Sequence, residues 1–388
     1  MNTACQRVVT VLLGAFLFSC VQAAEPGFER QTIDGNIQIG YGLAVGRVDG
    51  DRHVDLLLAD KSAIVWYENP GSAGKEWTKH VMARDLTARD NVCVAARDID
   101  GDGLVEVAVG ANWNPGETSD SATSGTMFYL QRPADPQKPW KPIPIAPHEP
   151  TTHRMRWVNS DDGMRLAVLP LHGVGNKSGA GKNVFVSLYA VSNGTPKLVN
   201  KVDTLMHMTH NFDLLADPTL GDNEFLLIAG KEGYSVVDSR GRARQSVDPS
   251  LSKGAGEVRA YQVKDRLFAS IEPMHGTDVV FYRQQGPGEW TKEVIDTSLN
   301  QGHALATGNL FGSDAPEIVV GWRGLDANQK VGIKVYTPHG TVWQKHTIDD
   351  NQMACEDLKL FDFDSDGKLD IVAAGRATTN VVIYWNRS

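Results

Sequence analysis

The stretch from Cys355 to Trp385 constrains this chain more than any other, because its plan is echoed six times upstream. It opens on an alternating run, Glu356 to Phe361, and turns sharply at Asp362-Phe363-Asp364-Ser365-Asp366-Gly367. A second apolar strand follows over Leu369 to Ala374, then a loop starting at Gly375-Arg376, then a third strand over Val381 to Trp385. Repetition of such a unit decides the fold before any single residue does.

With the acidic turn and the strand after it as a ruler, Asp98-Ile99-Asp100-Gly101-Asp102-Gly103 precedes Val105 to Val109, and Val48-Asp49-Gly50-Asp51 precedes Val54 to Leu58. Weaker echoes are Asn159 to Gly163 before Leu166 to Leu169, and Asn309 to Gly312 before Ile318 to Val320. Two units keep the strands and lose most acids, at Asp217 to Asp222 and at Lys264-Asp265. Third strands recur, as at Val65-Trp66-Tyr67, and fourth strands open on Trp77, Trp290 and Trp343. Four short antiparallel strands per unit describe a propeller blade, so the expected fold is an all-β, seven-bladed β-propeller with four-stranded blades. The last unit stops after its third strand, while Arg30-Gln31-Thr32-Ile33-Asp34 resembles the fourth strand ending in Thr347-Ile348-Asp349. The N-terminal strand is therefore expected to complete the last blade and close the ring, which hides two sheet edges.

Ahead of that strand, Arg7, the apolar run Val8 to Phe18 and Val21-Gln22-Ala23-Ala24 have the parts of an export signal. Residues 1–24 read as a signal peptide and 25–388 as one propeller domain, periplasmic or extracellular; a lipoprotein anchored at Cys20 is the lesser alternative, since Phe18 is bulky for a lipid-attachment box. No later apolar segment is long enough to span a bilayer. Only Cys93 and Cys355 remain after cleavage, and free buried thiols are expected rather than a disulfide framework. A formal charge of −9 without any Lys/Arg run argues against nucleic acid as a partner. Nothing in the sequence points to a protein partner.

Acidic turns followed by apolar strands resemble the FG-GAP or VCBS repeats of propeller proteins, and the resemblance runs through the mature chain. It implies the fold and leaves function open. Asp98, Asp100, Asp102 and Glu106, and again Asp362, Asp364, Asp366 and Asp370, place hard oxygen donors at alternate positions, so structural calcium is expected in both turns. The alternative is a metal-free turn held by aspartate side chains. In the first unit Arg47 stands at the first donor position, and in the sixth Phe311 stands at the second.

Six residues before each acidic turn, or its equivalent, lies the start of the innermost strand, where side chains can enter the central channel. Those positions are Tyr41, Val92, His153, His210, Glu257, His303 and Glu356. Three of the 11 histidines share this register. Polar plugging of the channel is one reading; a catalytic or metal-binding ring is the other, with His210, His303 and Glu356 as ligands for a divalent transition metal or magnesium. Loops between second and third strands reach the same mouth and add Trp113, His172, Lys231, His275, Trp322, Arg323 and Arg376, a set suited to a saccharide that offers a face to stack on and oxygens to bind. Neither a serine elbow nor a phosphate loop is present.

The runs Pro150 to Trp157, Leu169-Pro170-Leu171-His172-Gly173, Thr209-His210-Asn211-Phe212, Glu272-Pro273-Met274-His275-Gly276, Gly302-His303-Ala304-Leu305, Gly321-Trp322-Arg323 and Ala374 to Thr378 together resemble the propeller part of aldos-2-ulose dehydratases. The chain has room for the propeller but not for the cupin domains that carry the later isomerisation in those enzymes. The resemblance implies a secreted lyase or dehydratase that performs β-elimination on a keto-sugar or a uronate-containing saccharide. In that scheme His153 is the expected base, with His172 as second candidate; Arg323 or the channel metal stabilises the oxyanion, and Tyr41 protonates the leaving oxygen. Trp113, Lys231, His275, Trp322 and Arg376 would bind substrate. The rival is a non-catalytic glycan- or protein-binding propeller, and a glycoside hydrolase using Glu257 and Glu356 ranks last.

Overall fold

The computed structural model describes residues 26–388 apart from 161, 178–179, 193–194, 217–223, 239, 241–243, 247–248, 263–265, 287–288 and 313–314. The expected signal segment and the turns at 217–222 and 264–265 lie outside the described residues. Seven four-stranded antiparallel sheets form seven blades, the first six of which run in chain order from the channel outward. Blade 1 spans Gly42–Arg84, blade 2 Cys93–Ile145, blade 3 Thr152–Asp203, blade 4 Thr209–Ser246, blade 5 Glu257–Asp296 and blade 6 Gly302–Asp350. Blade 7 takes three strands from Cys355–Asn386, and Phe28–Asp34 pairs antiparallel with Val381–Asn386 as its fourth, which closes the ring as the sequence predicts. Among the described residues the only helical element is a 3₁₀ turn at Pro249–Leu251.

Position in the blade explains composition. A second or third strand has a neighbouring blade on each face and is apolar along most of its length, as in Asp370–Gly375 and Val381–Asn386, both buried throughout. An outer strand such as Glu289–Asp296 meets solvent and is correspondingly polar. The core is divided into seven apolar clusters, one between each pair of adjacent blades. Burial of each Leu, Ile or Val in them stabilises by about 1.5–3 kcal/mol. Tyrosines pin blade to blade: Tyr67 Oη donates to Asp34 at 2.8 Å, Tyr336 to Asp296 at 2.7 Å and Tyr384 to Asp349 at 2.7 Å. Each carboxylate ends the outer strand of the preceding blade, so the Ile-Asp ending seen in the sequence is an inter-blade contact. Cys93 and Cys355 are free and buried, and burial pushes the Cys93 thiol up to about 12.

The acidic turns are tight loops held by their own side chains. Asp98 accepts from the backbone N–H of Gly101 (2.7 Å) and Gly103 (2.9 Å), and Asp362 from Asp366 (3.1 Å) and Gly367 (2.9 Å). The acid that opens the second strand does something else: it clasps the turn from below. Glu106 accepts from Ile99 N–H, Asp370 from Phe363 N–H, Asp55 from Val48 N–H and Glu317 from Leu310 N–H. The last two belong to the turns in which Arg47 and Phe311 replace donors, so this clasp does not depend on a complete ligand set. One oxygen each from Asp98, Asp100 and Glu106, and from Asp362, Asp364 and Asp370, lie within 4.8 Å of one another. Buried Asp364 Oδ1 has no hydrogen-bond partner, an orientation that suits a hard cation. Asp102 and Asp366 fall outside both groups and lie 3.6 Å from Arg132 and Arg387 respectively.

Candidate functional site

Four of the inner strands begin with the same irregularity. In blade 3 Thr152 pairs with Pro170 and Arg154 with Leu169, which leaves His153 as an extra residue without a partner. The same slip leaves out His210 in blade 4, His303 in blade 6 and Glu356 in blade 7. A bulge of this kind re-aims one side chain while the rest of the ladder keeps its alternation. That is how His153, His210, His303 and Glu356, four of the seven residues six places ahead of an acidic turn, come to face the axis. Tyr41, Val92, His153, His210, His303 and Glu356 all line one cavity of about 300 Å³, and Glu257 lines a smaller space contiguous with it.

The histidines are oriented from behind. His153 donates through Nδ1 to the His210 carbonyl (2.8 Å), His210 to that of Gly256 (3.0 Å) and His303 to that of Glu356 (2.7 Å), each reaching the next blade's inner strand. With Nδ1 donating to the carbonyl, Nε2 of each ring points away from that strand. His275 joins them from the tight turn after Glu272, with its backbone in the left-handed region at φ 53°, and Gly276 beside it leaves no room for a Cβ against the Glu272 carbonyl. The Nε2 atoms of His275 and His210 are 2.7 Å apart, and the ring centroids of His275 and His303 are 5.0 Å apart. Burial, then the Arg154 charge, drives His153 well below the ordinary imidazole value; burial, then Arg323, does the same to His303. His275 is lowered to about 3 by burial, His210 and Arg323. Behind the cluster sits Glu257, 3.3 Å from His210 Nδ1 and 3.4 Å from Arg259; burial raises its carboxyl, but these partners prevail and hold it below the usual range.

The opposite wall is ionic. Glu356, 3% exposed, receives Arg323 at 2.5 Å and Arg376 at 3.0 Å. Arg376 also covers the ring of Tyr41 at 5.5 Å, and Tyr41 Oη donates to Asp90 at 2.8 Å. Burial, then Asp90, raises the Tyr41 phenol, so it keeps its proton. Trp113 stacks on His153 with centroids 5.0 Å apart, and Leu171, Met208 and Met274 supply apolar wall.

Of the expected loop residues, Trp113, His275, Arg323 and Arg376 line the cavity. Trp322 does not. It is 3% exposed, ends a strand and packs between blades 5 and 6, with Nε1 donating to the Lys330 carbonyl (2.8 Å) and Lys334 over its ring at 4.7 Å, so it offers no face to a sugar. His172 is half-buried beside the cavity but is not among its lining residues, because its neighbours Leu171 and Met208 take the wall. Lys231 is exposed and away from the lining. The triad whose donor atoms lie within 4.8 Å of one another is His210, His275 and His303; Glu356, expected among the channel ligands, is held by two guanidinium groups instead. Imidazole nitrogens suit zinc, manganese or iron better than magnesium, which prefers oxygen.

Sequence reasoning missed Arg154, which lines both spaces, and Asp90, which holds Tyr41. Arg154 was one residue from a named position; counting one residue per strand overlooked that a bulge can turn two neighbours toward the axis.

Residues 47–109 match the FG-GAP-like repeat, from the first acidic turn to the second strand of blade 2. No curated protein matches this chain. Among solved structures, "Crystal structure of BBS1N in complex with ARL6DN, soaked with lead" superposes with a TM-score of 0.57 at 12% identity, covering 93% of this chain and 96% of that one. The same complex soaked with mercury gives 0.59 at 12% identity over 92% and 96%. At such identity the likeness shows the fold alone. The chain is thus a seven-bladed, four-stranded β-propeller that carries an FG-GAP-like repeat.

Proposed function

We propose that this protein is an exported carbohydrate lyase or dehydratase that performs β-elimination on a keto-sugar or a uronate-containing saccharide. The observation that carries this reading is the set of imidazoles, tied through Nδ1 to backbone carbonyls and directed into a cavity of about 300 Å³ that also holds three arginines, a tyrosine and a tryptophan. Elimination needs a neutral base for the proton next to a carbonyl or carboxylate, cationic or hydrogen-bonding groups for the enolate oxygen, and a proton for the leaving oxygen. His153 serves as the base: its Nε2 takes the proton, the electron pair forms the double bond, and the C–O bond on the adjacent carbon breaks. Arg323 and Arg376 would stabilise the charge that develops on the oxygen, and Tyr41 would deliver a proton to the departing hydroxyl or alcohol and regain one from solvent. His210, His275 and His303 would hold a divalent metal, which when bound supplies Lewis-acid stabilisation of that oxygen. Trp113 offers a ring face to the sugar.

The test is ultraviolet absorbance of purified protein with 1,5-anhydrofructose, 3-keto-glycosides and uronic oligosaccharides, with and without chelator. Growth of an enone or unsaturated-uronate chromophore, reduced about 10²–10⁴-fold in His153→Ala, is expected. His172→Ala should retain turnover within a few-fold. Full turnover by His153→Ala removes it as the base. Saccharide binding with no chromophore across the panel moves the protein to the class of glycan-binding propellers.

A further inference from the structure

The axial channel continues below the histidines. The upper cavity and the small space of about 50 Å³ beneath it share Tyr41, Val92, Arg154, His303 and Glu356, so they form one path. Three guanidiniums border the lower space, and they are not equally engaged. Arg156 lies 3.4 Å from Asp213 and Arg259 lies 3.4 Å from Glu257. Arg154 donates to its neighbour's carbonyl, His153 O, at 3.0 Å, and no carboxylate of the described residues lies within ion-pair reach of it. The candidates are already taken: Glu356 by Arg323 and Arg376, and Glu257 by His210, Asn211 and Arg259. In a chain of formal charge −9, this leaves a positive site in a narrow, low-dielectric channel, where the field of a charge is focused rather than screened. A guanidinium with unused donors in one plane matches a carboxylate in geometry as well as in charge.

We propose that Arg154, backed by Arg156 and Arg259, anchors a ligand carboxylate at the floor of the histidine cavity, so that this site takes an acidic saccharide in preference to its neutral counterpart. This rests on the saccharide site proposed above and narrows its substrate class. A carboxylate held there lies on the same side of the ligand as His153, next to Arg154 in the chain, which would place the acidic carbon bearing the transferable proton close to the base. Neutral keto-sugars of the same size would leave Arg154 without its partner and lose the charge-assisted contact.

The test compares binding of glucuronate, galacturonate and mannuronate disaccharides with binding of their carboxyl-reduced counterparts, by calorimetry on the full chain. At least one acid form should bind ten-fold or more tighter than its reduced form, and the difference should shrink as salt is raised. Arg154→Gln should abolish the preference, Arg154→Lys should restore part of it, and thermal melts establish that both variants are folded. Equal binding of acid and reduced forms to the unaltered protein overturns the proposal without any variant, as does absence of binding by every pair, or survival of the preference in folded Arg154→Gln. The elimination chromophore is read in the same samples. A preference without chromophore sinks the lyase reading and keeps the carboxylate anchor; a chromophore from neutral sugars with no preference does the reverse.

Discussion

At the scale of single residues, one buried and one half-buried aspartate pull stability in opposite directions as pH changes. Asp55 is fully buried, and burial raises its carboxyl to about 7 even though Val48 and Asn69 donate to it. Its folded value exceeds the unfolded value of about 3.9, so its contribution is fully present below that and is lost as pH rises through about 7. Asp296 is the reverse case. Burial works to raise it, but hydrogen bonds from Ser298 and Tyr336 and the charge of Lys334 outweigh burial and hold it at about 2. Its contribution is present above the unfolded value and is lost as pH falls toward about 2. Urea midpoints measured in EDTA should therefore peak at about pH 4 and decline on both sides. Each group is worth at most a few kcal/mol, because a tenfold change in proton affinity between the folded and unfolded chain corresponds to about 1.4 kcal/mol. Asp296→Asn should flatten the acid limb and Asp55→Asn the alkaline one; a profile that rises steadily from pH 4 to 8 would contradict the assignment of Asp55.

At the scale of elements, the acidic turn and the strand that closes the ring were legible for different reasons. The turn announces itself because aspartates at alternate positions serve two compatible uses, backbone hydrogen bonds in the turns of blades 1, 2 and 7 and donor groups that suit a cation in the two fullest, so its pattern survives decay. Excess calcium over EDTA should raise the melting temperature by several degrees, and Asp98→Ala with Asp362→Ala should remove that response while leaving the fold intact. An identical melt in calcium and EDTA would leave the hydrogen-bonded turn as the whole account. The closing strand was legible because Thr32-Ile33-Asp34 must present the same Asp to Tyr67 that Thr347-Ile348-Asp349 presents to Tyr384. Gln31 also accepts from Trp385 Nε1 at 2.9 Å across the seam. What was not legible was the orientation of loop side chains. Trp322 and Arg323 are adjacent in sequence, yet one is the last inward-packed residue of a strand and the other the first of the loop, and no periodicity marks where pairing stops. Bulges were invisible for a related reason: the histidine register could be counted, but nothing in it says that Arg154 turns toward the axis too.

At the scale of the whole molecule, the site exists only when the ring is closed. Its walls come from the approach to blade 1 (Tyr41), from blades 3, 4 and 6 (His153, His210, His303), from the turn in blade 5 that carries His275, and from blade 7 (Glu356, Arg376). The Tyr41–Arg376 contact at 5.5 Å bridges first and last blades directly, on the seam that Phe28–Asp34 holds shut. A propeller with this seam intact should lose ligand binding and secondary structure together in urea, because neither half of the cavity can persist without the other. Removing residues 26–35 leaves the blades but frees the edge at Val381–Asn386, an exposed strand edge that invites association. In that truncated chain, binding or turnover should fail at a lower urea concentration than the far-ultraviolet signal, and the protein should associate as its concentration rises. Coincident transitions with full turnover in the truncated chain would mean that the seam is not what positions Tyr41 against Glu356 and Arg376, and that the cavity is held by the histidine side of the ring alone.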